Sequence, residues 1–240
     1  MKTRLKQEYD NYTTEDHKVW SILFERQLQT LSTESADEYL QGLKDVKFEQ
    51  HRIPHFDEVN QYLLDHTGWH IHPVPGIMPN KEFFELLAQK KFPATTWIRK
   101  MEQLDYLEEP DMFHDVFGHV PLLSNPDFCN YLLGLSSVAL QHINNPEVID
   151  RISRAYWFTV EFGLINQGDK LKIYGAGLAS SIGETKHALH DNTGKIPFNI
   201  TTITNTPYRN DIYQDSYFVI ESFDDLYASL DELKKNFESA

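Results

Sequence analysis

The sequence has little cysteine, a deficit of basic residues and no long apolar run. Cys129 is the one cysteine among 240 residues, so no disulfide can form within the chain, which is typical of a reducing compartment. The 22 basic and 36 acidic residues give a net charge of −14, which excludes a general attraction for nucleic acid or anionic lipid. No run reaches the ~18 apolar residues that span a bilayer, and residues 1–8 lack the apolar core of a signal peptide. We therefore expect a cytoplasmic protein that binds neither nucleic acid nor membrane.

The composition and periodicity predict one mainly helical domain over residues 1–240, with small β elements, in the α+β class. A hydrophobic content of 40% is enough for a folded core, and no repeat or Gly/Ser linker divides the chain. Thr13 precedes two acidic residues and a helical apolar pattern, as a helix N-cap does. Helices are predicted near 14–28, 36–46, 57–64, 81–90, 126–141, 146–164, 180–190 and 224–237, strands near 95–99, 171–174 and 217–220, and a strand or turn near 70–76.

The segment around His114 and His119 is the most informative part of the chain. The two histidines stand five residues apart in an apolar run, with Pro110 before them and Pro121 after them. A regular helix turns about 100° per residue, so their side chains would point about 140° apart. Convergence is easier if His114 lies in the irregular first turn of a short helix entered from a loop.

Glu161 completes a possible metal-ligand set on the next long predicted helix. It stands between Val160 and Phe162, where a buried carboxylate without a metal, a cation or water is costly. Two imidazoles and one carboxylate are the ligands of non-haem Fe(II) oxygenases. Spacing alone leaves metal binding open, because such sets also arise by chance.

Two further histidine pairs compete with this one. His70 and His72 would project from one face of a strand, but no nearby acid completes a site, and we expect them to be partly exposed. His187 and His190 lie three apart on a predicted helix beside Asp191, a weaker metal candidate.

At this point the sequence resembles the pterin-dependent aromatic amino acid hydroxylases. The resemblance covers about residues 8–225 and is closest to the bacterial phenylalanine 4-hydroxylases of that family. It is carried by the blocks at 9–17 with Trp20, 109–111, 114, 118–121, 157–163, 174–184 and 221–223 after Tyr217. It implies the catalytic-domain fold of that family, with the metal in a basket of helices.

The resemblance also implies roles for individual residues. His114, His119 and Glu161 would be the Fe(II) ligands. Arg99 would clamp the substrate carboxylate with its planar guanidinium, although a surface ion pair with Asp105 or Glu102 is the plainer interpretation.

The remaining implied roles concern the substrate ring and the cofactor. Pro110 and Trp157 would border the ring, although core packing is the plainer interpretation of Trp157. Ser180 would help to bind the amino acid or orient a ligand histidine. A tetrahydropterin would contact a set of residues on the loop and helix around 76–83, with two acids near the pterin or the iron-bound waters: Ile77, Met78, Asn80, Phe83, Asp115 and Glu109. Phe83 is equally well explained as a core residue of its helix.

Several positions depart from the family pattern. Asp115 replaces the glutamate more usual after the first histidine, Leu107 replaces a threonine of many animal members, and Pro93 replaces a histidine said to stack on their pterin. These changes indicate a bacterial-type site. The sequence leaves no room for an N-terminal regulatory domain or a C-terminal tetramerisation arm, so we expect a monomer.

The expected activity is hydroxylation of L-phenylalanine to L-tyrosine with O2 and a tetrahydropterin. The nearest competing hypothesis is a sibling hydroxylase acting on tryptophan or tyrosine. A zinc hydrolase with Asp115 or Glu109 as base is a second competing hypothesis. A non-catalytic protein that binds aromatic ligands is a third.

Overall fold

A computed structural model describes residues 5–105 and 107–238. Residues 1–4, part of the segment that argued against a signal peptide, lie outside the described residues. None of the helices in the described ranges has the length and apolar character that crossing a bilayer requires.

The helices dominate the fold, as the periodicity predicts. The α-helices are α1 (Thr14–Glu34), α2 (Asp37–Asp45), α3 (Phe56–His66), α4 (Asn80–Ala88), α5 (Pro126–Gln141), α6 (Pro146–Tyr156), α7 (Ala176–Ala179), α8 (Ile182–His190), α9 (Ile200–Asn205), α10 (Phe223–Ala228) and α11 (Leu230–Lys235). Short 3₁₀ turns cover Tyr9–Asn11, Met101–Gln103 and Val120–Ser124. Two π-helical segments are π1 (Phe113–Gly118) and π2 (Trp157–Glu161).

Local capping explains where several helices start. The predicted threonine cap of α1 is confirmed at Thr13, and Asp16 extends it to a reciprocal capping box. Asn125 and Asn145 cap α5 and α6, and each is followed by a proline whose missing N–H costs nothing in the first turn. The long helices were therefore readable from local signals.

Two small sheets complete the fold. Strands β1 (His70–Pro73) and β2 (Lys91–Ala94) pair in parallel. Strands β3 (Leu164–Gln167), β4 (Lys170–Ile173), β5 (Gly194–Pro197) and β6 (Ser216–Ile220) form a sheet of order β4-β3-β6-β5, in which only the β3–β4 pair is antiparallel.

The strand predicted at Thr95–Arg99 is wrong, and β2 ends just before it. The Thr95 N–H donates to the carboxylate of Asp115, and the Arg99 N–H donates to Asp111. The carboxylates of Asp111, just before π1, and Asp115, within it, therefore take the backbone donors that a strand would use. Pro93 is tolerated in β2 because a proline can occupy an edge strand.

Two predicted helices also differ from the observed ones. The helix predicted to 164 ends at Glu161, because β3 begins at Leu164. The helix predicted over 224–237 is divided into α10 and α11 at Ser229, whose hydroxyl donates to the Leu226 carbonyl.

The large buried side chains form one hydrophobic cluster that runs from α1 to the C-terminal helices. Trp20 of α1 packs edge-on against Phe113 and Phe117 of π1, whose rings stack at 4.5 Å between centroids. π1 is thus fixed by apolar packing on the side away from its histidines.

Candidate metal centre and aromatic pocket

π1 explains how two histidines five residues apart can face the same point. Bonding from residue i to i+5 widens the helical turn, so residues five apart lie closer to one face than on an α-helix. His114 lies within π1 and His119 directly follows it, and their ring centroids are 5.2 Å apart. The sequence prediction of a short helix entered from a loop was close, but the π turn, rather than a ragged first turn, gives the convergence.

π2 presents Glu161 in the same way. The Phe162 N–H donates to the Trp157 carbonyl at 2.9 Å, a bond five residues back. The Thr159 hydroxyl donates to the Ala155 carbonyl four residues back, and Tyr131 contacts the same hydroxyl. The Thr159 and Tyr131 hydroxyls thus satisfy polar groups around the widened turn. These bonds stabilise the π-helical end of the helix that carries Glu161.

The three donor groups converge at one point. Nε2 of His119 lies 3.0 Å from Oε1 of Glu161, and Nε2 of His114 lies 3.6 Å from Oε2. One donor atom from each side chain falls within 4.8 Å of the others. This group is the metal-type cluster found among the residues that the structure describes.

Ser180 fixes which nitrogen of His114 is available. Its hydroxyl donates to the Ala176 carbonyl at 2.8 Å, so its oxygen accepts from Nδ1–H of His114 at 2.9 Å. The Nε2 lone pair then faces Glu161 and His119. A histidine oriented through its other ring nitrogen is the usual arrangement of metal ligands, so the donor set fits a metal ion.

The electrostatics of Glu161 also suit a cation. Burial alone acts to raise the pKa of this carboxyl, but His119, His114 and the backbone N–H of Gly177 lower it below its ordinary value. The carboxylate form is therefore available as a ligand without an added base.

Asp115 has a different environment from Glu161. Burial raises the pKa of this carboxyl above its ordinary value, although the charges of His114 and His119 and hydrogen bonds from the N–H and hydroxyl of Thr95 oppose the rise. Only Oδ2 takes the Thr95 bonds, so Oδ1 is directed to other partners or to the pocket that Asp115 lines.

Arg99 is not a surface residue, and the predicted alternative partners Asp105 and Glu102 are wrong. Nε and Nη2 of its buried guanidinium donate to the two oxygens of Asp111, each at 2.9 Å. Asp105 instead pairs with Arg26 at the surface. The Asp111 carboxylate also accepts the His114 N–H, so this ion pair supports the start of π1.

A cavity of about 320 Å³ opens over the three donors. Ten of the residues with a predicted site role line it, namely His114, His119, Glu161, Pro110, Trp157, Ile77, Met78, Asn80, Phe83 and Asp115. Arg99, Ser180 and Glu109 are not among the lining residues; Ser180 bonds to His114 of the lining, and Glu109 is exposed. Phe83 is half-buried and meets Tyr156 edge-on at 5.1 Å, so it serves both the cavity and its own helix.

Sequence reasoning gave no site role to several residues around this cavity, among them Tyr156, Tyr208 and Gln214. Tyr156 lines it, and burial raises the pKa of its hydroxyl well above the ordinary value. Its position directly before Trp157 was a usable signal. Tyr208 lines the cavity, and Gln214 accepts the indole N–H of the lining residue Trp157. Both come from an irregular segment far along the chain that gave no local signal.

The competing histidines lie elsewhere. His70 and His72 are partly exposed on β1, as predicted. His187 bonds Asp191 through Nδ1 and the Gln214 carbonyl through Nε2, while His190 is exposed. The His187–His190 pair therefore does not form a metal site together.

Comparisons with known proteins agree with this geometry. The sequence profile of the biopterin-dependent aromatic amino acid hydroxylases matches residues 6–240. A phenylalanine-4-hydroxylase of Chromobacterium violaceum is 44% identical over 226 residues, 93% of this chain and 75% of the relative. One from Ralstonia nicotianae is 44% identical over 224 residues, 93% and 71% of the two chains.

Solved structures show the same fold. The C. violaceum phenylalanine hydroxylase with bound iron and phenylalanine has a TM-score of 0.90 at 39% identity, covering 99% of this chain and 88% of that one. The same enzyme with iron(III) and 7,8-dihydrobiopterin has a TM-score of 0.91 at 42% identity, covering 99% and 87%.

The helical fold and the cluster of two histidines and one carboxylate define a protein of the mononuclear non-haem metal class. More narrowly, this chain belongs to the family of biopterin-dependent aromatic amino acid hydroxylases.

Proposed function

We propose that this protein is a phenylalanine 4-monooxygenase, which hydroxylates L-phenylalanine to L-tyrosine with O2 and a tetrahydropterin at an Fe(II) site. The observation that carries the proposal is the convergence of His114, His119 and Glu161 at the base of an aromatic cavity. Relatives about 44% identical over nine-tenths of the chain are phenylalanine hydroxylases, which favours phenylalanine over tryptophan or tyrosine.

His114, His119 and Glu161 hold the iron in this proposal. Ser180 keeps Nε2 of His114 unprotonated, and the Gly177 N–H holds the Glu161 carboxylate. The bound iron and the tetrahydropterin supply the activation of O2 and the electrons. The protein contributes binding, orientation and the exclusion of water.

Substrate orientation falls to Arg99, Pro110 and Trp157. The ring of phenylalanine lies against Pro110 and the indole, which both line the cavity. Asp111 occupies Nε and Nη2 of Arg99, which leaves Nη1 to bind the substrate carboxylate. The same ion pair keeps the guanidinium at a fixed angle, so the substrate meets an oriented donor.

The 76–80 segment and Phe83 would hold the pterin. Ile77, Met78 and Asn80 line this side of the cavity, and the half-buried ring of Phe83 offers an aromatic face. Asp115 holds the pterin or bound water through Oδ1, since Oδ2 binds Thr95. Glu109 is exposed next to Pro110, and its carboxylate would act near the pterin or the iron-bound waters.

Several expectations stay predictions. They are a single catalytic domain, a monomer and a cytoplasmic location. One cooperative thermal unfolding transition tests the single domain, sedimentation equilibrium on the purified chain measures the oligomeric state, and cell fractionation measures the location.

The test is one reaction with matched variants. The apoprotein is loaded anaerobically with Fe(II), mixed with a tetrahydropterin and L-phenylalanine, and exposed to O2. We expect about one tyrosine per pterin oxidised, and His119→Ala to lose both bound iron and turnover. His190→Ala removes an exposed histidine outside the cavity and should retain both.

The competing hypotheses give distinct results. Pterin oxidation without tyrosine, together with a hydroxylated product from tryptophan or tyrosine, would establish a sibling specificity. Hydrolytic activity with zinc would establish the hydrolase. Binding of aromatic ligands without any turnover would establish a non-catalytic protein.

A further inference from the structure

One buried amide sits in an otherwise exposed loop beside the cavity. The segment 206–215 connects α9 to β6 without regular structure, and residues 209–213 are all exposed. Gln214 is only 6% exposed, and it is the one buried residue in this segment. A buried amide carries three hydrogen-bonding groups that need partners, so its position calls for a physical account.

Every polar group of the Gln214 amide is bonded. Oε1 accepts the indole N–H of Trp157 at 3.1 Å. Nε2 donates to the carbonyls of Arg209 at 2.7 Å and Ile212 at 3.1 Å. One side chain therefore ties the loop backbone to an indole that lines the cavity.

The same loop supplies a second aromatic ring to that wall. Tyr208 stacks on Trp157 with ring centroids 4.3 Å apart and planes 14° apart, and both residues line the cavity. Phe162 contacts Trp157 at 4.6 Å. The indole is thus held by Tyr208, Phe162 and the Gln214 amide.

A second contact holds the main chain of Gln214 itself. Nε2 of His187 on α8 lies 3.1 Å from the Gln214 carbonyl. Gln214 is consequently fixed through both its backbone and its side chain, whereas residues 209–213 are exposed and Tyr213 among them contacts His187 at 5.0 Å.

We propose that Gln214 is a positioning residue that holds the Trp157–Tyr208 wall and thereby sets the size of aromatic side chain the cavity accepts. The proposal rests on the proposed function, in which the substrate ring lies against Trp157. Gln214 acts through Trp157 and Tyr208 and does not contact the substrate. Without its amide, an indole N–H and two loop carbonyls lose their partners, and the two rings gain freedom.

The predicted consequence is a change in binding and selectivity more than in the chemical step. A looser wall holds a phenylalanine ring less well and tolerates the larger indole of tryptophan. Gln214 bonds to Trp157 at the start of π2, but none of its hydrogen bonds involves His114, His119 or Glu161, so iron binding should be retained.

The experiment compares three variants as Fe(II)-loaded full-length protein. Gln214→Met removes all three bonds at similar volume, and Gln214→Glu keeps an acceptor for the indole while it removes both donors. Ile212→Ala is the matched control, because it lies in the same loop, its side chain is exposed, and its carbonyl remains. Thermal melting and iron content check that each variant folds.

For Gln214→Met we expect the KM for L-phenylalanine to rise about tenfold while kcat changes less than about twofold. The ratio of kcat/KM for phenylalanine to that for tryptophan should fall about tenfold. Gln214→Glu should recover part of the selectivity, and Ile212→Ala should match the wild type.

A second readout does not depend on the reaction. Arg209 is exposed within the loop, so trypsin cleavage after it reports loop opening. We expect cleavage about tenfold faster in Gln214→Met than in Ile212→Ala. In the Trp157→Phe background, which already lacks the indole N–H, Gln214→Met should raise KM less than it does in the wild-type background, because the bond to Oε1 is already absent.

The failures are distinguishable. Wild-type protein that makes no tyrosine would overturn the proposed function, while faster cleavage at Arg209 in Gln214→Met would still support the loop anchor. Unchanged KM, selectivity and cleavage in a folded, active Gln214→Met would overturn the inference and leave the function standing. An equal loss of kcat for both amino acids, with unchanged selectivity, would also overturn it.

Discussion

The cavity has a floor and a rim that are held in different ways. The floor consists of π1 and π2 with His114, His119 and Glu161, and its residues are largely buried in the helical core. The rim consists of residues 76–80 and 206–215, where Ile77 is 75% exposed and Gln214 alone is buried in the second segment. The floor depends on backbone packing and buried charge, whereas the rim depends on single side-chain anchors.

Two glycines make the difference concrete. A Cβ on Gly175 would lie 2.4 Å from the Glu161 carbonyl oxygen and 2.5 Å from the Gly163 nitrogen. A Cβ on Gly76 would meet nothing within 4 Å. The floor tolerates no added atom near Glu161, while the rim has open space. A metal centre requires the first property, and a cavity that admits and releases ligands requires the second.

The largest effect should come from the buried ion pair under the floor. Asp111→Ala leaves the buried Arg99 charge unpaired and removes a bond to the His114 N–H, so the free energy of unfolding should fall by about 3–5 kcal/mol. Urea denaturation measures it. Asp105→Ala breaks the exposed pair with Arg26 and should cost less than about 1 kcal/mol. Equal losses in the two variants would contradict the distinction between floor and surface.

The glycine pair gives the next largest difference. Gly175→Ala should destabilise the protein by about 1–3 kcal/mol and weaken Fe(II) binding, since the backbone atoms beside Glu161 must move. Gly76→Ala should change stability by less than about 0.5 kcal/mol. Denaturant unfolding and iron titration on both variants provide the measurements. A Gly175→Ala protein with normal stability and iron affinity would show that the floor is not tightly packed.

A smaller effect should follow loss of the hydroxyl in π2. Thr159→Val leaves the Ala155 carbonyl and the Tyr131 hydroxyl without their shared partner, at a cost of about 1–2 kcal/mol. Iron affinity should fall with it if the hydroxyl helps to hold the π turn that carries Glu161. Thr159→Ser keeps the hydroxyl and is the control. The hypothesis fails if Val and Ser variants bind iron equally well.

The smallest effect concerns the partly buried carboxyl of Glu184 in the first turn of α8. Burial raises the pKa of Glu184 to about 7 from 4.5, and His187 and Tyr217 offset this only in part. The folded protein therefore binds more protons than the unfolded chain between these values, so the stabilising contribution of Glu184 is lost as pH rises through about 7.

Glu184→Gln removes this titration and keeps the shape. Relative to that variant, the wild type should lose about 1–2 kcal/mol of stability between pH 5 and 8. Melting temperatures of both proteins across this range provide the measurement. Parallel curves would mean that Glu184 ionises in the folded protein much as it does in the unfolded chain.

Much of the fold could be read from local sequence signals. The Thr13 cap, the helix of Pro126–Gln141 and the strand ending at Ile220 follow from capping, proline placement and periodicity. The metal-ligand set and the family were also predictable, because several short motifs occur in a fixed order. The burial of Cys129, whose thiol pKa is raised by burial to about 12, was predicted from its apolar neighbours.

Some features could not be read in this way. Thr95–Arg99 has strand-forming side chains, but distant carboxylates capture its backbone donors. Arg99 pairs with Asp111 and not with Asp105, which is nearer in sequence, since only Asp111 is buried with it. Each outcome depends on which groups share a low-dielectric interior, and local propensity carries no such information.

The sequence by itself determined the helical class, the ligand types and their order along the chain, because these depend on residue chemistry and short-range periodicity. Only the tertiary structure decided that His114 and His119 converge through a π turn, and that Gln214 joins a distant loop to Trp157. The physical reason is the distance along the chain over which each feature is determined. Helical periodicity depends on residues a few positions apart, whereas the wall formed by Trp157 and Gln214 joins residues 57 positions apart that meet only when the core forms.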